Sequence, residues 1–492
     1  MPEHFDVVVV GAGISGIDAA YHLQTNSPDR SYVILEGRAD LGGTWDLFRY
    51  PGIRSDSDMY TLGFGFKPWT KEKSIADGES ILGYLRETAV ENGIDRHIRY
   101  GHRVVSAAWS SEDAAWSVTI ERGAAAERVE MTCNFLFMCS GYYNYASGHT
   151  PDFPGADRFG GQIVHPQFWP DTLDYAGKRV VVIGSGATAM TIVPAMATSA
   201  AHVTMLQRSP TYVVARPSQD KLATWFQRKL PAKAAYGATR WKNVLLGQFF
   251  FAQTRKYPAK AKQRILGWVR DHMGPDYDVD RHFTPSYNPW DQRLCLVPDA
   301  DLFASLKSGR ASVVTDTIAT FTETGIRLGS GDEIAADIVV TATGLELQLM
   351  SGVEFSVDGR TIDPAKSLNY KGMMFSDIPN LAMTFGYTNA SWTLKADLTS
   401  AYVCRLLNTM RKRGLRQVTP RVNDPEVVAE DFLDFTSGYV QRGIDRFPKQ
   451  GSKAPWKLHQ NYLKDLIALK YGSVDEGVEF SNPVPKPARK AA

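Results

Sequence analysis

The chain has 492 residues, enough for two or three domains that each bury a core of their own. Its 55 Lys and Arg against 53 Asp and Glu leave a net charge of +2, so no global field recruits nucleic acid or an anionic membrane. The four cysteines, Cys133, Cys139, Cys295 and Cys404, form no CxxC pair and no zinc-type spacing, which excludes a disulfide scaffold and suits a reducing cytoplasm.

The N-terminus has no basic n-region, and the apolar run Val7 to Val10 is too short for a signal peptide. No run of 18 apolar residues predicts a transmembrane helix. Phe5 to Val10 reads as a strand that ends at Gly11-Ala12-Gly13-Ile14-Ser15-Gly16 and leads into the helical pattern Ile17, Ala20, Tyr21, Leu23. Tyr32 to Leu35 is the next strand. It closes on Glu36, roughly 20 to 25 residues after the first glycine, where a dinucleotide fold places its ribose-binding acid. The other reading is a glycine turn in an unrelated αβ unit.

Strand-like runs over 104–120 and 129–137 predict an antiparallel excursion that returns through Phe135 to Cys139 into the small-residue turn Ser140-Gly141. Residues 159–170, FGGQIVHPQFWP, read as a linker too aromatic and too proline-stiffened to be a floppy tether. The dinucleotide pattern then restarts: strand Arg179 to Ile183, turn Gly184-Ser185-Gly186-Ala187-Thr188-Ala189, helix Thr191 to Ala197, strand His202 to Leu206. This second strand ends in Gln207-Arg208-Ser209 rather than in an acid. An arginine and a hydroxyl favour a ribose 2′-phosphate that an acid would repel. The first fold therefore reads as FAD-binding through Glu36, and the second as NADPH-binding through Arg208 and Ser209; the alternative makes Arg208 a solvated surface cation.

Lys221 to His272 is rich in Lys, Arg, Trp and Phe, with Asp271 as its only acid, and reads as amphipathic helices inserted into the second nucleotide domain. The plain reading is a helical subdomain with a basic outer face. The functional ones are a mobile cap over a substrate channel or a weak peripheral contact with acidic lipid. Short strands follow over 312–338, then the apolar strand Asp337 to Gly344. Ala396 to Met410 is the last amphipathic helix, closed by Arg411-Lys412-Arg413 and Gly414. The expected class is α/β with two dinucleotide-binding, Rossmann-like domains: residues 1–145 and 345–482 for FAD, 146–216 and 288–344 for NADPH, a helical insertion at 217–287, and a disordered tail at 483–492.

FAD and NADPH in one chain imply hydride transfer to flavin. The absence of a dithiol argues against a disulfide reductase, and the histidines show no HExxH and no Cys/His cluster, so no metal is expected. Oxygen remains as the electron acceptor.

Several segments carry a family resemblance. FxGxxxHxxxWP at 159–170 resembles the fingerprint of type I Baeyer-Villiger monooxygenases, a class B flavoprotein monooxygenase family, with Trp169 where other class B enzymes usually carry Tyr or Phe. GGTW at 42–45 with RYPGIRSD at 49–56 resembles their flavin-side signature, and YNPWDQRLC at 287–295 resembles the segment with their active-site arginine. The likeness covers nearly the whole chain and is greatest to the bacterial branch of ethionamide-activating enzymes. It implies Arg293 as the catalytic arginine and Asp56 as the carboxylate that orients it. A fixed guanidinium can hold the negative charge that passes from a peroxyflavin to a ketone oxygen, the task of an oxyanion hole, and its planar fork serves two oxygens where lysine would not.

The resemblance further implies that Ser15 and Gly16 receive the FAD pyrophosphate. It sets Gly43, Thr44, Trp45, Asp46 and Leu47, with Arg54, Ser55 and Asp56, against the flavin, and has Val104 lend backbone atoms to the adenine. The late helix is expected to aim its positive end at the flavin. Gln292 stands where the family often has lysine, which implies a weaker preference for NADPH over NADH. His165 reads as a structural or gating residue rather than an acid or base. The implied reaction is conversion of a ketone to an ester or lactone by NADPH and O2, with sulfides as secondary substrates. The alternatives are an N- or S-oxygenating flavin monooxygenase without ketone chemistry, and an uncoupled NADPH oxidase or flavin redox sensor.

Overall fold

The structure, a computed structural model, describes residues 2–433 and 435–483; apart from Pro483, the expected tail lies outside them. Glu3–Val10 is an interior strand of the first sheet. It runs parallel to Tyr32–Leu35 on one side and to the end of Glu127–Met138 on the other, with Val10 opposite both Leu35 and Met138. Leu381–Met383 adds a further parallel strand, Met383 opposite Met138. These four strands finish level with one another, and the turns that bind ligand in such sheets gather at that edge.

Side chains alternate across this sheet. Val7 and Val9 enter the core shared with the helices Ile14–Asn26 and Trp392–Arg413, while Val8 and Val10 enter a second core with Trp109, Trp116 and Phe355. Both faces are covered, which is why the strand reads as an unbroken apolar run instead of alternating with polar residues. The antiparallel excursion consists of His102–Ser110, Ala115–Arg122 and the start of Glu127–Met138, and is widened by Glu354–Val357 and Arg360–Ile362.

The second sheet is five-stranded and parallel, in the order Ala311–Thr315, His202–Gln207, Arg179–Ile183, Ile338–Thr341, Gln162–Val164. Val180 and Val182 face one core, Val181 and Ile183 the other. The expected class, α/β with two dinucleotide-binding folds, is thus borne out. One local reading needs correction: part of the 159–170 stretch is no linker, because Gln162–Val164 is the edge strand of the second sheet, paired with Ile338 to Val340.

Two chain crossings join the folds, Tyr143–Gly148 on the way out and Leu345–Leu347 on the way back, and they pair with each other as an antiparallel ribbon. The insertion comprises Lys221–Lys229, Ala232–Lys256, Pro258–Met273 and Val279–Phe283. It grips the first domain from outside. Arg240 donates to the carbonyls of Tyr60, Thr61 and Gly63 at 2.9, 3.3 and 2.8 Å, groups left without intrahelical partners by the short helix Met59–Leu62.

Candidate functional site

The ends of both parallel sheets open on one cavity of about 1150 Å³. Single small-ligand pockets run to about 300–1,000 Å³, so this volume suits more than one bound molecule. Gly11 turns into it with φ 103°, and a Cβ there would stand 2.8 Å from the Cys139 carbonyl oxygen, so no other residue fits. Gly13 and Ser15 line the cavity, and Trp392 Nε1–H donates to Ser15 Oγ at 2.7 Å. Gly16 does not line it, contrary to expectation. A Cβ there would collide with the Gly11 carbonyl, so this glycine serves the close approach of helix to strand.

Glu36 is buried at the end of its strand, where its two oxygens accept from the backbone N–H groups of Ala12 and Arg38 at 2.8 and 2.9 Å. Burial raises its pKa and these two N–H groups oppose the shift. Gly43, Thr44 and Trp45 line the cavity, but Asp46 and Leu47 do not. The single turn Thr44–Leu47 spreads four side chains around its axis, so only some can face one side. Asp46 turns inward to Arg38 at 2.6 Å and Arg49 at 3.1 Å, and Leu47 packs on the second domain's core. Arg54 and Ser55 line the wall, yet their polar atoms are engaged by protein: Arg54 pairs with Asp301 across the domain boundary, and Ser55 Oγ accepts from Ser57 N–H at 2.9 Å. Val104 also lines the cavity, beside a bulge between Val104 and Ser106.

The second fingerprint faces the same space. Gly184 takes φ 131° against the Ala342 carbonyl, and Ser185, Gly186, Ala187 and Thr188 follow along the wall. The helix Ala187–Met196 has no side-chain cap and no acid in its first turn, so its leading N–H groups are left for an anion. Arg208 and Ser209 line the cavity, and Arg208 makes no ion pair among the described residues.

Arg293 and Asp56, 237 positions apart, meet here: Arg293 Nη1–H donates to Asp56 Oδ2 at 2.9 Å. Their side chains are 37% and 39% exposed, and both line the cavity. Desolvation alone would lower the Arg293 pKa; Asp56, then the phenols of Tyr439, Tyr142 and Tyr143, outweigh it and raise the pKa, so the guanidinium stays charged. The loop is braced just upstream, where Asn288 N–H donates to Asp291 Oδ2 at 3.0 Å and Trp290 holds a left-handed φ of 73°. Gln292 also faces the cavity.

Residues that sequence reasoning passed over complete the wall. Tyr142 and Tyr143 join through their hydroxyls at 2.9 Å, and burial pushes Tyr439 up to about 12. Arg442 supplies another cation, its pKa lowered by burial. The run YYNY at 142–145, just after the Ser140-Gly141 turn, was a readable signal; nothing local marks Tyr439 or Arg442. Cys139 and Cys295 line the cavity as free, buried thiols, and burial pushes Cys295 up to about 12. No helix of the insertion lines it. His165 lies off the cavity as well: its Nε2–H donates to the Gly344 carbonyl at 3.3 Å, and its ring fills the space where a Cβ on Gly148 would be.

Comparison with known proteins agrees with this architecture. Residues 72–227 match the flavin-binding monooxygenase-like family and residues 9–72 an NAD(P)-binding Rossmann-like domain. The FAD-containing monooxygenase EthA of Mycobacterium tuberculosis is 55% identical, over 99% of either chain. EthA of Mycolicibacterium smegmatis is 54% identical over 97% of this chain and 96% of its own. Among solved structures, an oxidized steroid monooxygenase bound to NADP superposes with a TM-score of 0.78 at 24% identity, covering 97% of this chain and all of that one. Cyclohexanone monooxygenase from Rhodococcus sp. Phi1 bound to NADP+ gives 0.74 at 21%, covering 98% of this chain and 100% of that one. With two dinucleotide folds facing one cavity and full-length identity above one half to EthA, the chain belongs to the family of FAD-containing monooxygenases.

Proposed function

We propose that this monooxygenase performs Baeyer-Villiger chemistry: it takes NADPH, O2 and a ketone and returns an ester or lactone, with one oxygen atom inserted beside the carbonyl and the other released as water. FAD fits the cradle of Gly11, Gly13, Ser15, Glu36, Gly43, Thr44, Trp45 and Val104. NADPH fits Gly184 to Thr188, with Arg208 and Ser209 on its 2′-phosphate. Bound FAD supplies the electrons, taken as hydride from NADPH, and the activation of O2.

The observation that carries the reading is the Arg293–Asp56 pair on the cavity wall. As a ketone is attacked, negative charge develops on its carbonyl oxygen, and a preorganised guanidinium stabilises that charge without reorganising. Asp56 fixes the guanidinium's direction, and the phenols of Tyr142, Tyr143 and Tyr439 stand beside it on the cavity wall. The NADP bound to the steroid and cyclohexanone monooxygenases supports the choice of nucleotide. Four buried thiols suit the cytoplasm, and no described helix is long and apolar enough to cross a membrane.

The test supplies the purified holoenzyme with NADPH, O2 and a panel of ketones and sulfides, and measures esters, sulfoxides and hydrogen peroxide separately. Arg293→Ala should retain FAD and lose ester formation by about 100-fold or more, while sulfoxidation, which builds no carbonyl oxyanion, persists. Full ester yield from the variant refutes the role of Arg293. Sulfoxides without esters from the parent enzyme would favour an S-oxygenating enzyme, and peroxide alone an oxidase.

A further inference from the structure

From Lys221 to Arg270 the insertion carries twelve Lys and Arg and no Asp or Glu, in a chain whose net charge is +2. Some of these cations are engaged by protein: Arg240 by three carbonyls, Lys242 by Asp220, and Lys262 by the Pro285 carbonyl. Lys221, Arg228, Lys229 and Arg264 make no ion pair or hydrogen bond among the described residues. Lys256 and Lys260 lie only over the ring of Tyr257, at 5.3 and 5.7 Å.

Large apolar side chains stand exposed among these cations. Trp241, Leu245 and Phe249 form an i, i+4, i+8 stripe on Ala232–Lys256, and Lys260, Arg264 and Trp268 form another on Pro258–Met273. Phe249 is 56% exposed, its neighbour Phe250 49% and Trp225 52%. These helices bury other residues inward, Tyr236 and Val244 on the first and Ile265, Leu266 and Val269 on the second. An amphipathic helix of a globular domain needs one apolar face; these have a second, which among the described residues meets Tyr462 at Trp241, ring centroids 6.0 Å apart, and leaves Leu245, Phe249 and Trp268 about half exposed. The cavity does not account for it, since none of these helices lines that space.

We propose that this face docks the enzyme on an anionic lipid bilayer. Aromatic rings interleaved with Lys and Arg on amphipathic helices suit the headgroup boundary, where apolar tips reach acyl chains and cations stay with the phosphates. A second copy of the chain is the poorer occupant, because a two-fold contact sets the same cations against themselves. The surface is separate from the reaction. Only one consequence rests on the proposed function, that apolar ketones dissolved in the bilayer are the substrate class within reach.

The test mixes FAD-loaded enzyme with vesicles of phosphatidylcholine alone or doped with phosphatidylglycerol, and sediments them; it requires no turnover. Binding is expected to the doped vesicles only and to vanish in about 1 M salt, where the screening length falls to about 3 Å. Lys256→Gln with Lys260→Gln should weaken it by about five-fold per cation. Phe249→Ser with Phe250→Ser should abolish it while FAD content and NADPH consumption stay at the parent level. Equal sedimentation with both vesicle types overturns the proposal. So does a light-scattering mass that halves in the Phe249/Phe250 variant, which would assign the face to a second copy.

Discussion

Asp18 is fully buried in the first helix, where Oδ2 accepts from Ser400 Oγ–H at 2.7 Å and Oδ1 has no hydrogen-bond partner. Facing it are His22, 4.0 Å away, Asp397, 3.0 Å from His22, and at longer range Arg240. Burial pushes its pKa up from 3.8 to about 7, with His22 opposing and Asp397 assisting. An unfolded chain holds that proton only below about 3.9. Between about pH 4 and 7 the folded state therefore binds more protons, and stability is lost as pH rises through that window. Asp18→Asn cannot ionise, so its denaturation midpoint should exceed the parent's at pH 8, with the gap closing towards pH 4. A gap independent of pH would refute this account. The same scale separates what was readable at the site. Gly11 and Gly184 are dictated by a local backbone demand and show in one dimension. The pairing of Arg293 with Asp56 came from the resemblance, because neither neighbourhood marks them otherwise.

At the scale of elements, the late helix is longer than its periodicity indicated, Trp392–Arg413 rather than 396–410. Its first turn does not advertise a helix start, since Ser391 makes no side-chain cap and instead meets Thr61 Oγ1 at 2.6 Å. Ala390 and Trp392 bring this N-terminus to the cavity wall, so its dipole is available to an electron-rich ligand. Lys395, a buried cation in the same turn, is disfavoured by the positive end of that dipole and is neutralised by Asp465 at 2.8 Å on the helix Tyr462–Lys470. Asp465→Asn leaves that cation buried without its counter-ion, a change costing about 3–5 kcal/mol. Thermal unfolding of a chain this long should then move down by about 1 °C per kcal/mol. An unchanged midpoint would mean that Lys395 is rehydrated by local opening. The insertion was recognisable as helical from composition, but its seat on 58–64 was not, because Arg240 meets carbonyls some 180 positions away.

Across the whole molecule, the two folds are held by the paired crossings, by Arg54 with Asp301, and by His165 between Gly148 and Gly344. Burial lowers the His165 pKa, so the ring is neutral at neutral pH; its Nδ1 accepts from Gln167 N–H at 3.2 Å and its Nε2–H faces Gly344. Gly148→Ala would drive the ring from this position. FAD should stay bound, while its reduction by NADPH slows by about tenfold, a barrier change of about 1.4 kcal/mol. Stopped-flow absorbance measures that rate, and parental speed in the variant would show that the ribbon does not set the register of the domains.

The sequence by itself determined the two glycine turns, the parallel strands leading into them, the acid Glu36 and the cation Arg208 that end the second strand of each fold, and the absence of a dithiol motif, since each depends on neighbours within a few residues. Only the tertiary structure decided that both fingerprints share one cavity, that 162–164 is a sheet edge, that Asp46 turns inward, that Tyr142, Tyr143 and Tyr439 stand near Arg293, and that Arg442 lines the same cavity. Those contacts join segments up to some three hundred positions apart, and the free energy that selects them comes from packing the sheets and helices, which no local pattern of residues records.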